Sequence, residues 1–317
     1  MYKTIFIYET FFQKSIIEHL IENKYYDKEQ SLIIDATNHK ICIEGEEYNV
    51  NFNRFGMLIS SLKVLRELRK LALTCETLVG THITGINALF FSSFISSKNK
   101  VLIDDGIGTP VLIQNQKLFN SKIKYQIRFL ITKTLLLLHN IKIKNVVNTL
   151  GTIDRYYTVY KSKIVPERSF PIYPLNFYEQ QYTTNMEEVC FIGAPLLDFK
   201  LCDEESYKML LLAVKHKYGD YKYYLHPDEK LTIKFKIEGI EFIKLNKPIE
   251  KSFFKNGVPE FVIGFTSSAL LNLSLSKYKN TNPNFRYVKK KVYGKKNDEY
   301  YYEILEQNNI YESGLHI

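Results

Sequence analysis

Tryptophan is absent from this chain, and its four cysteines (Cys42, Cys75, Cys190 and Cys202) include no Cys-x-x-Cys pair. Scattered thiols argue against a structural zinc site and a disulfide framework, and they fit a reducing compartment. No Asp-x-Asp lies near a predicted sheet edge and no paired histidines stand at helical spacing, so no metal is indicated. Gly106-x-Gly108-Thr109 lacks a third glycine and no Walker lysine follows it, which argues against a dinucleotide fingerprint or a P-loop. Ser267 and Ser268 lack the flanking glycines of a nucleophile elbow. Long apolar runs are missing too. Phe129 to Leu138 is broken by Lys133 and is too short to span a bilayer. Met1 to Phe12 carries Lys3 and Glu9, and no small-residue cleavage site follows. The expectation is a cytoplasmic protein.

What is present is a globular composition, 45% hydrophobic and 24% charged, over 317 residues, which is comfortable for two domains. The 24 Tyr and 21 Phe, with abundant Lys, Ile and Asn, suggest an AT-rich coding composition as much as any function. A net charge of +9 suits nucleic acid, anionic lipid or an anionic substrate. Much of it sits in Lys289, Lys290, Lys291, Lys295 and Lys296, interleaved with Tyr287 and Tyr293. Such a segment fits single-stranded nucleic acid, a membrane surface, or simply a solvated face.

Apolar runs alternate with helical periodicity, which implies a parallel sheet covered on both faces. Strands are predicted over 3–8, 31–35, 77–80, 101–103 and 156–160, with helices over 11–21, 54–73 and 123–139. The alternation lapses over 161–187, where Pro166, Pro171 and Pro174 mark a linker. It resumes with strands over 189–192, 221–225, 240–245 and 261–263. Helices are predicted over 204–216, over 248–254, from Ala269 onward and over 299–307. The expected architecture is α/β, with two doubly wound domains facing each other across a cleft. The first spans 1–165, a linker spans 166–187, and the second spans 188–317, its last helix packing back on the first.

Polar clusters close several predicted strands, at the edge where open α/β sheets place their ligands. Asp104-Asp105-Gly106 follows 101–103. Adjacent carboxylates alternate sides, so one of them faces the cleft, and partial desolvation would raise its pKa toward that of a general base. An acidic pair capping a loop would look the same. His226-Pro227 follows 221–225, and the proline pins the preceding backbone in an extended conformation, presenting His226 in one orientation. Its imidazole could protonate a leaving group, or simply open a surface loop. Thr266-Ser267-Ser268 follows 261–263 and precedes a helix, a place for a phosphate or for ordinary capping. Gly193-Ala194-Pro195 follows 189–192. Glu250, in the first turn of a short helix, could accept hydrogen bonds from a ribose diol or merely favour the helix end. Tyr8-Glu9-Thr10, His82 and Asn87 are placed to touch an acceptor.

Taken in this order, Asp-Asp-Gly, then His-Pro, then Ser-Ser, the motifs resemble those of bacterial sialyltransferases. The nearest resemblance is to glycosyltransferase family 52, the lipooligosaccharide and capsule sialyltransferases. Bacterial polysialyltransferases and marine-type sialyltransferases share the same motifs. The resemblance covers both halves, and its specificity lies in the combination. It implies a GT-B fold of two Rossmann-like domains, CMP-sialic acid as donor, no cofactor, and an inverting, metal-independent transfer. The acceptor would be a terminal sugar hydroxyl, galactose above all, of a capsular or lipooligosaccharide glycan. Carried over, Asp104 would deprotonate that hydroxyl, with Asp105, Asp198 and Asp203 as rivals. His226 would protonate or hydrogen-bond the departing CMP phosphate, and Thr266, Ser267 and Ser268 would hold it. Glu250 and the Gly193–Pro195 loop would line the cytidine side, with Pro227 beside His226.

The expected partners are therefore the CMP-sialic acid donor and a glycan, with peripheral contact at the inner membrane face, a homodimer as an option and no nucleic acid. The alternatives are a GT-B transferase using another nucleotide sugar, or a non-catalytic protein binding nucleic acid or an anionic membrane.

Overall fold

Thr4, Ile5, Phe6, Ile7 and Tyr8 are all buried, as in a strand at the centre of a parallel sheet covered on both faces. They belong to the first of two compact units, Met1–Phe177 and Tyr178–Ile317, in the computed structural model of this chain. The structure describes residues 2–37, 40–49, 64–81, 91, 94–106, 109, 113, 130, 134, 153–160, 170–175, 181–289 and 297–317. The division falls inside 166–187.

In the first unit the strands are β1 (Tyr2–Tyr8), β2 (Ser31–Asp35), β3 (Lys40–Ile43), β4 (Glu46–Asn49), β5 (Leu73–Gly80), β6 (Ile95–Ile103), β7 (Arg155–Thr158) and β8 (Ile172–Pro174). Their order is β4-β3-β2-β1-β5-β6-β7-β8, parallel apart from the β3–β4 hairpin and its junction with β2. Between β1 and β2 runs helix α1 (Phe11–Glu22), which turns Gln13, Ile16, Ile17 and Leu20 inward at helical spacing. Ile5, Ile7, Ile34, Leu65, Leu68, Leu78 and Leu102 are among the residues of this unit's core.

In the second unit the strands are β9 (Gln181–Tyr182), β10 (Thr184–Ile192), β11 (Tyr221–Tyr224), β12 (Ile240–Ile243), β13 (Val258–Gly264), β14 (Lys277–Tyr278), β15 (Asn284–Lys289) and β16 (Ile310–His316). The helices are α2 (Glu204–Tyr218), α3 (Ile249–Asn256), α4 (Ser268–Leu275) and α5 (Asn297–Gln307). The main sheet runs β12-β11-β10-β13-β15-β16, all parallel, while β9 and β14 pair separately. Counted along this sheet alone, the order is 3-2-1-4-5-6, the dinucleotide-fold arrangement that turns back beside its first strand. Phe191, Tyr207, Leu211, Tyr223, Ile263 and Phe265 knit its core.

Several elements differ from what the sequence predicts. Helical spacing extends a helix to Leu73, yet within the described residues only 64–70 are helical. Ala72 takes a positive φ of 45°, which ends the turn, and Leu73 opens β5. The β3–β4 hairpin is unheralded because its two-residue turn is Glu44-Gly45, both at positive φ, where Asn-Gly would be the usual signal. Part of 166–187 is strand: Pro174 sits in β8 at the sheet's end, where a missing N–H costs no ladder bond. β10 starts at Thr184 rather than 189 because polar residues line its irregular first half, where the register shifts between Asn185 and Val189. Within the second unit the last helix packs on β16, and Tyr302 stacks on Tyr287 of β15 at 5.0 Å.

The basic, aromatic segment is likewise partly core. Tyr287 is 1% exposed and its hydroxyl donates to Glu306 Oε1 at 2.7 Å, so its ring is not available to stack on a base. Lys289 pairs with Glu312 at 3.6 Å. Lys290, Lys291, Tyr293, Lys295 and Lys296 lie outside the described residues, as do His82, Asn87, half of the helix predicted over 54–73 and most of that over 123–139. Among the described residues no helix is long and apolar enough to cross a membrane. The four cysteines form no disulfide.

Candidate functional site

The first sheet turns back between β1 and β5, so its ligand edge lies outside the carboxyl ends of those strands and of neighbouring β6. There β6 delivers Asp104-Asp105-Gly106, and the adjacent carboxylates part ways. Asp104 is 0% exposed. Its Oδ1 accepts from the Tyr156 hydroxyl, and its Oδ2 accepts from the Val159 amide at 2.7 Å. Burial pushes its pKa up to about 7, outweighing the donors Tyr156, Val159 and Thr158, which favour the anion. The structure thus places Asp104, the expected base, away from solvent. Its side chain is turned into the unit and bound by protein donors on both oxygens.

Asp105 is the half-buried partner. Its Oδ1 accepts from Gln13 Nε2 at 2.6 Å, and its amide donates to Thr109 Oγ1 at 2.7 Å. Gln13 is fully buried in the first turn of α1; its Oε1 accepts from the Glu9 amide at 2.6 Å and its own amide donates to the N-cap Thr10 Oγ1. One hydrogen-bonded chain thus joins the ends of β1 and β6. Gln13 carried a sequence signal that is easy to pass over: a glutamine in register with Ile16, Ile17 and Leu20 on a helix's inner face.

In the second unit β10, β11 and β13 end level, because Ile192 pairs with both Tyr224 and Gly264. The Gly193-Ala194-Pro195, His226-Pro227 and Thr266-Ser267-Ser268 segments therefore leave the same edge of one sheet, around the point where its order turns back.

His226 opens a tight turn. The Glu229 amide donates to the His226 carbonyl at 2.9 Å, with exposed Pro227 at the second position, where its fixed φ is favoured. The Asp228 amide donates to His226 Nδ1 at 3.2 Å. An Nδ1 that accepts a backbone N–H leaves the proton of the neutral ring on Nε2. Burial pushes the imidazole's pKa down, with the Asp228 carboxylate, 3.8 Å from Nδ1, opposing. The ring is half-buried and neutral at pH 7, a hydrogen-bond donor through Nε2.

Beneath this turn lies Glu229, 1% exposed. Its Oε2 accepts from the His226 amide at 2.6 Å, and its Oε1 accepts from the hydroxyls of Tyr223 at 2.7 Å and Thr232 at 3.0 Å. Burial pushes its pKa up against those donors. Gly193 is required beside it, since a Cβ there would lie 2.2 Å from Glu229 Oε2 and 2.5 Å from the Tyr223 hydroxyl. Glu229 was missed in the sequence, where it reads as one more acidic residue of a polar loop.

Ser267 is the N-cap of α4, its Oγ accepting from the Leu270 amide at 3.2 Å, so that lone-pair side is committed to capping. Thr266 and Ser268 are half-buried beside it. Glu250 is half-buried in the first turn of α3, and its Oε1 accepts from Asn272 Nδ2 of α4 at 3.0 Å. Asn272, 1% exposed among Leu270, Leu271 and Leu273, fixes that carboxylate and also went unremarked in the sequence. Pro195 is buried.

The rival acids have local duties. Asp203 is the N-cap of α2, accepting from the Ser206 amide and hydroxyl at 2.7 Å each, which holds its pKa low. Asp198 Oδ2 accepts from the Lys230 amide at 3.1 Å, tying the loop after Pro195 to the segment after Glu229. Among the described residues no three His, Cys, Asp or Glu side chains gather as a metal would require.

No protein-family model matches the chain, and no curated protein matches it by sequence. Solved structures do match by fold. An alpha/beta-galactoside alpha-2,3-sialyltransferase from the luminous marine bacterium Photobacterium phosphoreum is 14% identical, at a TM-score of 0.50, covering 98% of this chain and 99% of that one. The glycotransferase of kitacinnamycin is 8% identical, at a TM-score of 0.48, covering 100% of this chain and 86% of that one. The first likeness is one of fold: it agrees with the GT-B class of two Rossmann-like domains and is to a marine sialyltransferase rather than to a family 52 member.

Proposed function

We propose that this chain is a glycosyltransferase of the sialyltransferase type, moving sialic acid from CMP-sialic acid to a sugar hydroxyl with inversion. The observation that carries the reading is the second unit's carboxyl edge. Gly193, the fixed Nε2–H donor of His226 and the start of α4 gather there around the turning point of a 3-2-1-4-5-6 sheet. The sialyltransferase-like order of motifs and the likeness of fold support the same reading.

In this reading the second unit holds the donor, and Asp105 is the proposed base. The acceptor oxygen forms a bond to the anomeric carbon while Asp105 takes its proton, and the bond to the CMP phosphate breaks with the electron pair leaving on the phosphate. His226 Nε2–H donates to that phosphate, and the backbone N–H groups opening α4, beside Thr266, Ser267 and Ser268, add to the neutralisation. Glu250, held by Asn272, accepts from the ribose hydroxyls. Asp104 locks β6 to the exit of β7 and so aims Asp105. The acceptor is a terminal sugar of a bacterial surface glycan, galactose in the first instance, reached at the inner membrane face.

CMP titration followed by thermal unfolding tests this, because a ligand bound only by the native state raises the melting temperature. CMP should stabilise the protein, and CMP-sialic acid should release CMP slowly without acceptor and faster with a galactoside. Stabilisation by UDP or GDP instead of CMP would assign another nucleotide sugar. No response to any nucleotide, with salt-sensitive binding to nucleic acid or anionic vesicles, would overturn the enzymatic reading.

A further inference from the structure

We propose that Glu229 is the positioning residue of His226, the buried anchor that sets which nitrogen the imidazole presents and where. The inference rests on the donor-site reading above, and deepens it. Glu229 is 1% exposed, in a unit whose other buried residues are overwhelmingly apolar. A carboxylate in such surroundings is costly unless every lone pair is engaged. Here it is engaged by the His226 amide, by the hydroxyls of Tyr223 and Thr232, and by that of Tyr207 at 3.5 Å.

The connection runs in both directions. Glu229 Oε2 takes the His226 amide while the Glu229 amide gives to the His226 carbonyl, so residues 226 and 229 are clamped at both backbone groups. Asp228 is held inside that clamp, and its amide is the donor to Nδ1. Fixing the clamp therefore fixes the tautomer. The same carboxylate rests on Gly193, which has no Cβ to displace it, and the Gly193 amide donates to the Tyr224 carbonyl at 2.8 Å. The glycine loop and the histidine turn are thus braced on one side chain. A glutamine in its place keeps one oxygen and sets an NH2 on the other side, so either the His226 amide loses its acceptor or the Tyr223 and Thr232 hydroxyls must reverse and accept, which loosens the clamp.

The test combines ring nitrogen NMR of His226 with donor turnover, on the full chain. Wild type should show the Nε2–H tautomer. E229Q should show a mixed tautomer population and a kcat for CMP-sialic acid hydrolysis lower on the order of 100-fold, the usual result of misplacing a reacting group, with KM changed much less. In the H226A background, E229Q should cause no further loss. If E229Q leaves the His226 spectrum and kcat at wild type, or if its effect adds in full to that of H226A, the inference is overturned. Should E229Q fail to fold, Y223F and T232V each remove one donor from the intact carboxylate, and a His226 spectrum unmoved in both would overturn it equally. The NMR arm does not depend on the donor: a wild type inert toward CMP-sialic acid would sink the proposed function, while the imidazole spectrum would still decide the role of Glu229.

Discussion

The Val159 amide donates to Asp104 Oδ2 at 2.7 Å, so the first carboxylate of the Asp-Asp-Gly motif closes the exit of β7 and does not face solvent. Two adjacent acids should therefore respond differently to substitution. Asp104→Ala leaves the Val159 amide and the Tyr156 hydroxyl without their acceptor, at about 1–3 kcal/mol each. It should lower the urea midpoint markedly. Asp105→Asn should leave the midpoint nearly unchanged and slow transfer about 100-fold or more, the usual contribution of a general base. If Asp105→Asn transfers at the wild-type rate while Asp104→Asn does not, the base has been assigned to the wrong member of the pair.

A pH dependence of stability follows from the same burial. The Asp104 carboxyl, near pKa 3.8 when unfolded and pushed up to about 7 when folded, binds its proton in the native state at pH values where the unfolded chain has lost it. The native state is then favoured toward acid, and this contribution is lost as pH rises through that window. Denaturation at pH 5 and pH 8 should show Asp104→Asn gaining on wild type at the higher pH. An unchanged difference would mean that Asp104 carries no proton there.

For His226 the shift has the opposite consequence. Burial lowers its pKa below 6.5, so the ring is neutral at pH 7 and above. Donor turnover that depends on Nε2–H should hold steady from pH 7 to pH 8. An NMR titration of the imidazole should find its midpoint below 6.5. A midpoint well above 7 would require the imidazolium to be the donor instead.

Gly193→Ala would place a Cβ 2.2 Å from Glu229 Oε2. Overpacking of this kind costs about 1–3 kcal/mol. The variant should lose both thermal stability and CMP-induced stabilisation. A variant indistinguishable from wild type in both would show that the loop has room that the packing denies.

Asn272→Leu removes the donor that holds Glu250 Oε1 at 3.0 Å. CMP affinity should fall about as far as in Glu250→Gln, and the double variant should show little added loss, since the two act as one unit. Full additivity would separate Asn272 from nucleotide binding.

How much of this was legible beforehand differs from residue to residue. Strand ends were readable because proline and glycine punctuate the chain locally: His226 precedes Pro227, Gly193 follows a buried run, and Ser267 caps a helix as its side chain predicts. The β3–β4 hairpin, β16 and the first half of β10 were not, because their turns or faces carry polar residues that mimic loop. Glu229 and Asn272 were invisible for a related reason. Each is polar in a stretch that reads as loop or ordinary helix, and only its burial makes it significant.

Local order along the chain was enough to set the α/β alternation, the two-part organisation and which side chains close each strand, since these depend on periodicity and punctuation within a dozen or so neighbours. Which of Asp104 and Asp105 is buried, which nitrogen of His226 carries the proton and which acid braces it were decided only by folding. Those outcomes depend on groups brought in from elsewhere: Tyr156, 52 positions from Asp104, a carboxylate under a turn, and the absence of a methyl at Gly193. Desolvation and hydrogen-bond saturation are properties of a packed environment, and no short stretch of sequence contains them.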